Sequence, residues 1–141
     1  MESVHTSWIS AEQYLAREQQ AETKNEYYDG SIYAMSGAMP VHNLLVANVI
    51  GELRNGLRGG DCRVYASDLK VTTPNGKRYF YPDATIICGE PVLWDEHKDV
   101  VTNPKVIIEV LSASTAAYDR GQNQLKSIGV ELKLQEIYLD T

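Results

Sequence analysis

One acidic residue interrupts an aliphatic run near the end of this chain, and it limits what the chain can fold into. Residues 106–111 read VIIEVL, with Glu109 as the only polar side chain. Near-continuous aliphatic runs of this length are typical of strands in the middle of a sheet, buried on both faces. An ionised carboxylate is costly there unless a positive charge lies beside it. The run therefore predicts a central strand that holds Glu109 next to a cation.

A second acid, Asp83, sits between two further strand-like runs, YFYP at 79–82 and ATIIC at 84–88. Two acids in two central strands suggest a shared metal ion. The alternative is that each acid lies at the fringe of the sheet or pairs with an arginine. If the strands are neighbours, the alternation of side chains lets the two carboxylates converge at one edge. Ligation by a few carboxylate oxygens suits Mg²⁺ or Mn²⁺.

Composition narrows the class of protein. The chain has 141 residues, 43% of them hydrophobic, which fits one domain with an ordinary core. A net charge of −6 without a basic tail argues against tight nonspecific binding to nucleic acid, but it does not exclude a nuclease. We find no membrane-spanning stretch and no secretory signal. Cys62 and Cys88 are far apart in the sequence and are predicted to be free thiols in a reducing compartment, which favours the cytoplasm.

Local signals predict the order of elements. Ser10 and Gln13 form a capping-box pattern that opens a short helix. The pair Asp29-Gly30 lies between β-forming residues and predicts a hairpin over 25–35. Pro40 opens a long helix over 41–57, where apolar residues recur at helical spacing. Strands are then predicted over 63–66, 68–72, 78–88 and 106–111, with a helix after Ser112 and a last strand. The order indicates an α+β domain with a mixed sheet and the long helix against one face.

The motif Pro82-Asp83 followed by Glu109 resembles that of the PD-(D/E)XK nuclease superfamily. Further motifs make the chain similar to the Uma-two family of restriction endonucleases from residue 7 to residue 122. These motifs are KNEYYDG at 24–30, MSGA at 35–38, His42, NPK at 103–105, EVLSAST at 109–115 and Asp119-Arg120. The resemblance implies a restriction-endonuclease-like mixed β-sheet core with a long helix packed on one face.

The resemblance also implies roles for individual residues. Asp83 and Glu109 would bind Mg²⁺ (or Mn²⁺), and the backbone carbonyl of Val110 would complete the coordination. Glu26 matches an acid that orients a metal-bound water in many such nucleases. His42 opens the long helix near this site and has either a catalytic or a structural role. The implied activity is a metal-dependent endonuclease that hydrolyses phosphodiester bonds in DNA.

The chain departs from the family pattern at the lysine. The superfamily motif has a lysine two residues after the glutamate, where this chain has Leu111. In the Uma-two family the lysine instead comes from the following helix, at a place occupied here by Asn123. Lys126, a turn later, is the candidate replacement. The tail from 125 to 138 resembles the C-terminal end of longer members, which predicts that residues 1–141 form a single nuclease-like domain missing a segment near 122–123.

Several alternatives remain open from the sequence. A loss of the lysine region would leave an inactive nuclease fold that acts in binding or self-association. A homodimer is expected by analogy with nucleases that cut both strands. Arg54, Arg58 and Arg63 could contact phosphate or complement the helix dipole. The tyrosines on the predicted strands fit half-buried sheet faces better than base stacking, and Trp94 and His97 are expected at the surface or in a dimer interface.

Overall fold

The computed structural model describes residues 7–35, 37, 39–94, 97, 99–110, 124–125 and 130–136. Two helices and ten strands lie within these ranges. The helices are α1 (Ala11–Gln20) and α2 (Pro40–Gly56). The strands are β1 (Asn25–Tyr28), β2 (Ser31–Ala34), β3 (Cys62–Tyr65), β4 (Lys70–Thr72), β5 (Arg78–Phe80), β6 (Ala84–Cys88), β7 (Val100–Val101), β8 (Val106–Val110), β9 (Gln124–Leu125) and β10 (Val130–Glu136).

The strands form two five-stranded sheets. The first has the order β2-β1-β5-β4-β7 and is mixed, because β4 and β7 run parallel. The second has the order β3-β6-β8-β10-β9 and is antiparallel at every described pairing. The α+β class with mixed pairing is confirmed, although the single sheet that we expected is in fact two.

The second sheet arises because the predicted strand over 78–88 breaks in the middle. Residues 81–83 are not in a strand, and they carry the chain from β5 in the first sheet to β6 in the second. Pro82 has no N–H to donate to a ladder, so it is poorly suited to the interior of a strand. This crossing leaves Asp83 immediately before β6.

Three apolar clusters place the helices outside the two sheets. The first cluster joins α1 to the first sheet and contains Ile9, Tyr14, Leu15, Tyr27, Ile32, Tyr79 and Val100. The second joins α2 to the second sheet and is built around Val49, Ala84, Ile86, Ile108 and Val110. The third consists of Val71, Phe80 and Ile107 and lies between the sheets. Adjacent strand residues point to opposite faces, so Ile107 faces the first sheet while Ile108 faces α2.

The local signals for helices and turns are confirmed. Ser10 caps α1 with a complete capping box, in which Ser10 and Gln13 exchange hydrogen bonds of 3.1 and 2.9 Å. The hairpin turn holds Asp29 at φ 40° and Gly30 at φ 98°, as a tight hairpin requires. A side chain at position 30 would also collide with Trp8, whose ring lies over the glycine. Pro40 stands in the first turn of α2.

The expectation of free thiols is wrong in this structure. Cys62 and Cys88 form a disulfide, with a Cα–Cα distance of 3.9 Å and a separation of 26 residues in sequence. The antiparallel register of β3 and β6 places these two residues directly opposite each other. Distance along the chain says nothing about such pairing, which is why the sequence did not predict it.

Aromatic residues are more buried than their loop and strand contexts suggested. Tyr27, Tyr79 and Tyr81 are buried, so their rings are not available for base stacking. Trp94 is partly buried, since it packs against the cluster beneath α1 and contacts the ring of Tyr79. The side chain of His97 is 12% exposed and lies 3.2 Å from Glu12. The burial of apolar surface in this loop explains why Trp94 and His97 are both less exposed than the sequence suggested.

Three predictions lie outside the described residues: the helix after Ser112, the position of Lys126, and the missing segment near 122–123. Neither α1 nor α2 is long and apolar enough to cross a bilayer, and no other helix occurs in the part of the chain that the structure describes.

Candidate active site

Asp83 and Glu109 come together because β6 and β8 are antiparallel neighbours. The register pairs Ala84 with Ile108 and Thr85 with Ile107. Extending it by one residue sets Asp83 opposite Glu109, close enough for the charge of Asp83 to raise the pKa of Glu109. Glu109 lies on the same face of β8 as Ile107, toward the first sheet. The two acids are therefore on one side of the second sheet, at the end of β8.

Glu26 approaches the same place from the first sheet. It is a residue of β1, next to buried Tyr27, so that it points away from α1 and toward the second sheet. The nearby backbone N–H of Tyr81 lowers the pKa of Glu26, and the charge of Asp83 is close enough to raise it. Acids from two sheets and from the crossing between them thus meet in one region.

Burial and mutual repulsion oppose the ionisation of these acids. Burial, as the largest cause, and the neighbouring charges of Asp83 and Glu26 together raise the pKa of Glu109 to about 8, while the charge of Arg78 acts in the opposite direction. The pKa of Glu26 is also raised, mainly by burial. Two carboxyl groups that both resist losing a proton are typical of a site whose counter-charge comes from outside the chain.

Asp83 is fixed by two hydrogen bonds, one to each carboxylate oxygen. The backbone N–H of Val110 donates to Oδ2 at 2.8 Å. Nε2 of His42, near the start of α2, lies 3.2 Å from Oδ1. Val110 thus ties the end of β8 to Asp83, and His42 ties α2 to it. His42 contacts one of the candidate metal-binding acids, a contact that the sequence left undecided.

A concave depression of about 830 Å³ opens over these residues. It is lined by Glu22, Thr23, Lys24, Met35, Gly37, Met39, His42, Asn43, Val46, Ser67, Tyr81, Asp83, Glu109 and Val110. Its walls come from the start of β1, the first turns of α2 and the sheet crossing. A cavity of this size accommodates a segment of an extended ligand as well as ordered water.

The donor set at this site suits a hard divalent cation. Within the described residues, no three His, Cys, Asp or Glu side chains are disposed to hold a metal by themselves. Two carboxylates in contact, with a backbone carbonyl at Val110, do match Mg²⁺, which is often held by one or two carboxylates with the other positions left to water and phosphate. The residues present therefore fit the ion that the sequence predicted.

Some predicted residues lie elsewhere. Asp68, the first residue of the strand predicted over 68–72, sits instead in a turn before β4, and its side chain is 92% exposed. Arg54, Arg58 and Arg63 line a separate depression of about 380 Å³ at the far end of α2. Lys126 lies outside the described residues, so its position relative to the site stays a prediction.

Two basic residues near the site were missed by reasoning from the sequence. Lys24 lines the depression, and Arg78 lowers the pKa values of both Glu26 and Glu109 through its charge. A signal was present for Lys24, because it stands two residues before Glu26, and residues two apart share a face of an extended chain. No comparable signal marked Arg78, whose proximity depends on the pairing of β1 with β5.

The sequence profile of the Uma2 family, described as "Putative restriction endonuclease", matches residues 11–136. This chain belongs to the Uma2 family. Among proteins of related sequence, an uncharacterised protein of Synechocystis sp. (strain ATCC 27184 / PCC 6803 / Kazusa) is 39% identical over 113 residues, covering 80% of this chain and 58% of the relative. A second uncharacterised protein of that strain is 37% identical over 117 residues, covering 83% and 66%.

Among solved structures, the Uma2 chain is similar to a putative nuclease belonging to DUF820 from Anabaena variabilis ATCC 29413. The two share 15% sequence identity with a TM-score of 0.59, and the match covers 79% of this chain and 65% of the other. At this level of identity the match shows the fold, which is that of a restriction-endonuclease-like protein. The Uma2 chain spans about three fifths to two thirds of the length of these relatives.

Proposed function

We propose that this Uma2 protein is a metal-dependent DNA endonuclease that hydrolyses phosphodiester bonds. The observation that carries the proposal is the contact between Asp83 and Glu109 at the end of two neighbouring strands, within an open depression. Buried acids that repel each other are stabilised by a divalent cation, and that need accounts for their placement better than a structural role does.

In this mechanism Asp83 and Glu109, together with the carbonyl of Val110, would hold Mg²⁺ (or Mn²⁺). A cation bound there supplies polarisation of the phosphodiester and a lowered pKa for a bound water. Glu26, on the facing sheet, orients the attacking water and accepts its proton. The raised pKa of Glu26 brings this carboxylate closer to the range in which a general base works well.

His42 acts on the mechanism through Asp83. Its Nε2 lies 3.2 Å from Oδ1, while the Val110 N–H occupies Oδ2. These two contacts hold the carboxylate plane in one orientation. Because an anchored carboxylate loses less entropy on binding an ion, His42 and the Val110 N–H preorganise the site.

The test is cleavage of supercoiled plasmid with Mg²⁺ or Mn²⁺ by the wild type, Asp83→Ala and Asp68→Asn. We expect cleavage by the wild type, a loss of at least about a hundredfold in Asp83→Ala, and near-wild-type rates in Asp68→Asn, whose side chain is exposed. Cleavage retained by Asp83→Ala would remove the assignment of this acid.

A non-catalytic role in binding or self-association is the competing proposal. Calorimetric titration with Mn²⁺ separates the two, because a nuclease site binds the ion saturably and Asp83→Ala does not. Homodimerisation and a cytoplasmic location accompany the nuclease proposal; the location follows from access to chromosomal DNA alone, since the disulfide removes the argument from free thiols. Sedimentation of the purified protein tests the former, and cell fractionation tests the latter.

A further inference from the structure

We propose that Lys24 contacts the scissile region of the DNA and adds a positive charge at the wall of the acidic depression. This inference rests on the proposed nuclease function and adds a substrate-binding residue to it. Among the described residues that line the depression, Lys24 is the only lysine or arginine. Glu26, Asp83 and Glu109 repel a polyanion that enters the site, and a lysine beside them offsets part of this repulsion.

The position of Lys24 follows from the alternation of the chain. It precedes β1 by one residue and Glu26 by two, so Lys24 and Glu26 share a face. Its backbone carbonyl accepts a hydrogen bond of 3.1 Å from the N–H of Met35, which anchors its main chain against the strand that leads out of the hairpin. The anchored main chain directs the side chain along the wall of the depression.

The ammonium group of Lys24 has two contacts, one with an aromatic ring and one with a carboxylate. Nζ lies 5.3 Å from the centroid of the Tyr81 ring, a cation–π contact with a buried side chain. Tyr81 stands two residues before Asp83, so the contact holds the charge close to the candidate metal-binding acid. Nζ also lies 2.9 Å from Oδ1 of Asp68.

The pair with Asp68 is weak enough to be exchanged for a phosphate. The side chain of Asp68 is 92% exposed and that of Lys24 is 38% exposed. Ion pairs between exposed side chains contribute little to stability, because water screens the attraction. A lysine ammonium binds phosphate as a compact point charge, and a DNA backbone offers several negative charges within its reach. Lys24 therefore leaves Asp68 when DNA enters, while Tyr81 keeps its stem in place.

Three variants test the proposal: Lys24→Gln, Lys24→Arg and Asp68→Asn. Each is assayed for plasmid cleavage with Mg²⁺, and for binding to a short fluorescent DNA duplex over a series of salt concentrations in the presence of EDTA. Lys24→Gln should lower cleavage by about tenfold or more and reduce the slope of log affinity against log salt by about one, the value for one lost phosphate contact. Lys24→Arg should retain most of the affinity.

The variant Asp68→Asn is the matched control, because it breaks the same ion pair but leaves the lysine. It should cleave and bind as well as the wild type or better. Wild-type cleavage and slope in Lys24→Gln would overturn the proposal, and so would an equal loss in Asp68→Asn, which would show a structural role for the pair. If the wild type does not cleave, the nuclease function fails, whereas the salt slope of Lys24→Gln still decides the role of Lys24.

Discussion

Glu109 is held in the folded chain by surroundings that oppose its charge. It stands in a central strand beside Asp83, and burial is the largest cause of its raised pKa. An aliphatic run interrupted by one carboxylate is a strong signal, because a chain rarely places such a residue in a core strand without a use for it. The prediction of a central strand over this run is confirmed, since β8 pairs with β6 and β10.

This environment predicts how stability depends on pH in metal-free protein. Below the ordinary value of 4.5, Glu109 is protonated in both the folded and the unfolded chain. Between about 4.5 and about 8 the unfolded chain releases the proton while the folded chain keeps it. The contribution of Glu109 to the free energy of unfolding therefore falls as pH rises through this window, and it is level above it.

Urea titrations between pH 4.5 and 8.5 with EDTA measure this dependence. Glu109→Gln should flatten the decline and be more stable than the wild type at pH 8. Glu52→Gln, a change at an exposed residue of α2, should follow the wild-type curve. If the stability of Glu109→Gln declined with pH at the same slope as that of the wild type, the buried and repulsive environment assigned to Glu109 would be contradicted.

At the scale of elements, short-range chemistry predicted the helices and the hairpin well. The capping box at Ser10, the turn at Asp29-Gly30 and Pro40 at the start of α2 each act within a few residues, so that sequence alone determines them. The break at 81–83 was not predicted, because the run from 78 to 88 reads as one extended segment. Its division depends on which partner strands each half finds, and that is a property of the whole fold.

Ile107 packs the strand β8 against the first sheet. This residue is fully buried in the cluster with Val71 and Phe80. Ile107→Ala should lower the free energy of unfolding by about 2–5 kcal/mol, and Ile107→Val by about 0.5–1.5 kcal/mol. Chemical denaturation measures both values. Equal costs for the two variants would show that the site collapses around the missing atoms and that this contact does not hold the sheets together.

At the scale of the whole molecule, contacts between elements distant in the sequence determined the features of the site that the sequence alone did not predict. The resemblance to the Uma-two family gave the family and the fold, and both are confirmed. The contact of His42 with Asp83, the charge of Arg78 and the approach of Glu26 from another sheet depend on long-range packing. Periodicity predicts the face on which a side chain lies, but it does not predict the element that the face meets.

The disulfide between Cys62 and Cys88 also depends on pairing between distant parts of the chain, and it leads to a testable prediction. Protein purified without reductant and unfolded in guanidinium should show no titratable thiol, and two after reduction, since the chain has two cysteines. Reduction should lower the free energy of unfolding by about 2–4 kcal/mol. The Cys62→Ser/Cys88→Ser double variant should not respond to reductant. Two thiols in the unreduced protein would contradict the bond.

The passage of the chain from one sheet to the other at 81–83 has a consequence for how the protein loses activity on heating. Glu26 belongs to one layer and Glu109 to the other, while Asp83 stands on the segment that bridges them. A slight sliding of one sheet over the other would separate the acidic groups of the site, while the hydrogen bonds between the strands of each sheet stayed intact. Warming should therefore abolish catalysis before circular dichroism registers any loss of secondary structure.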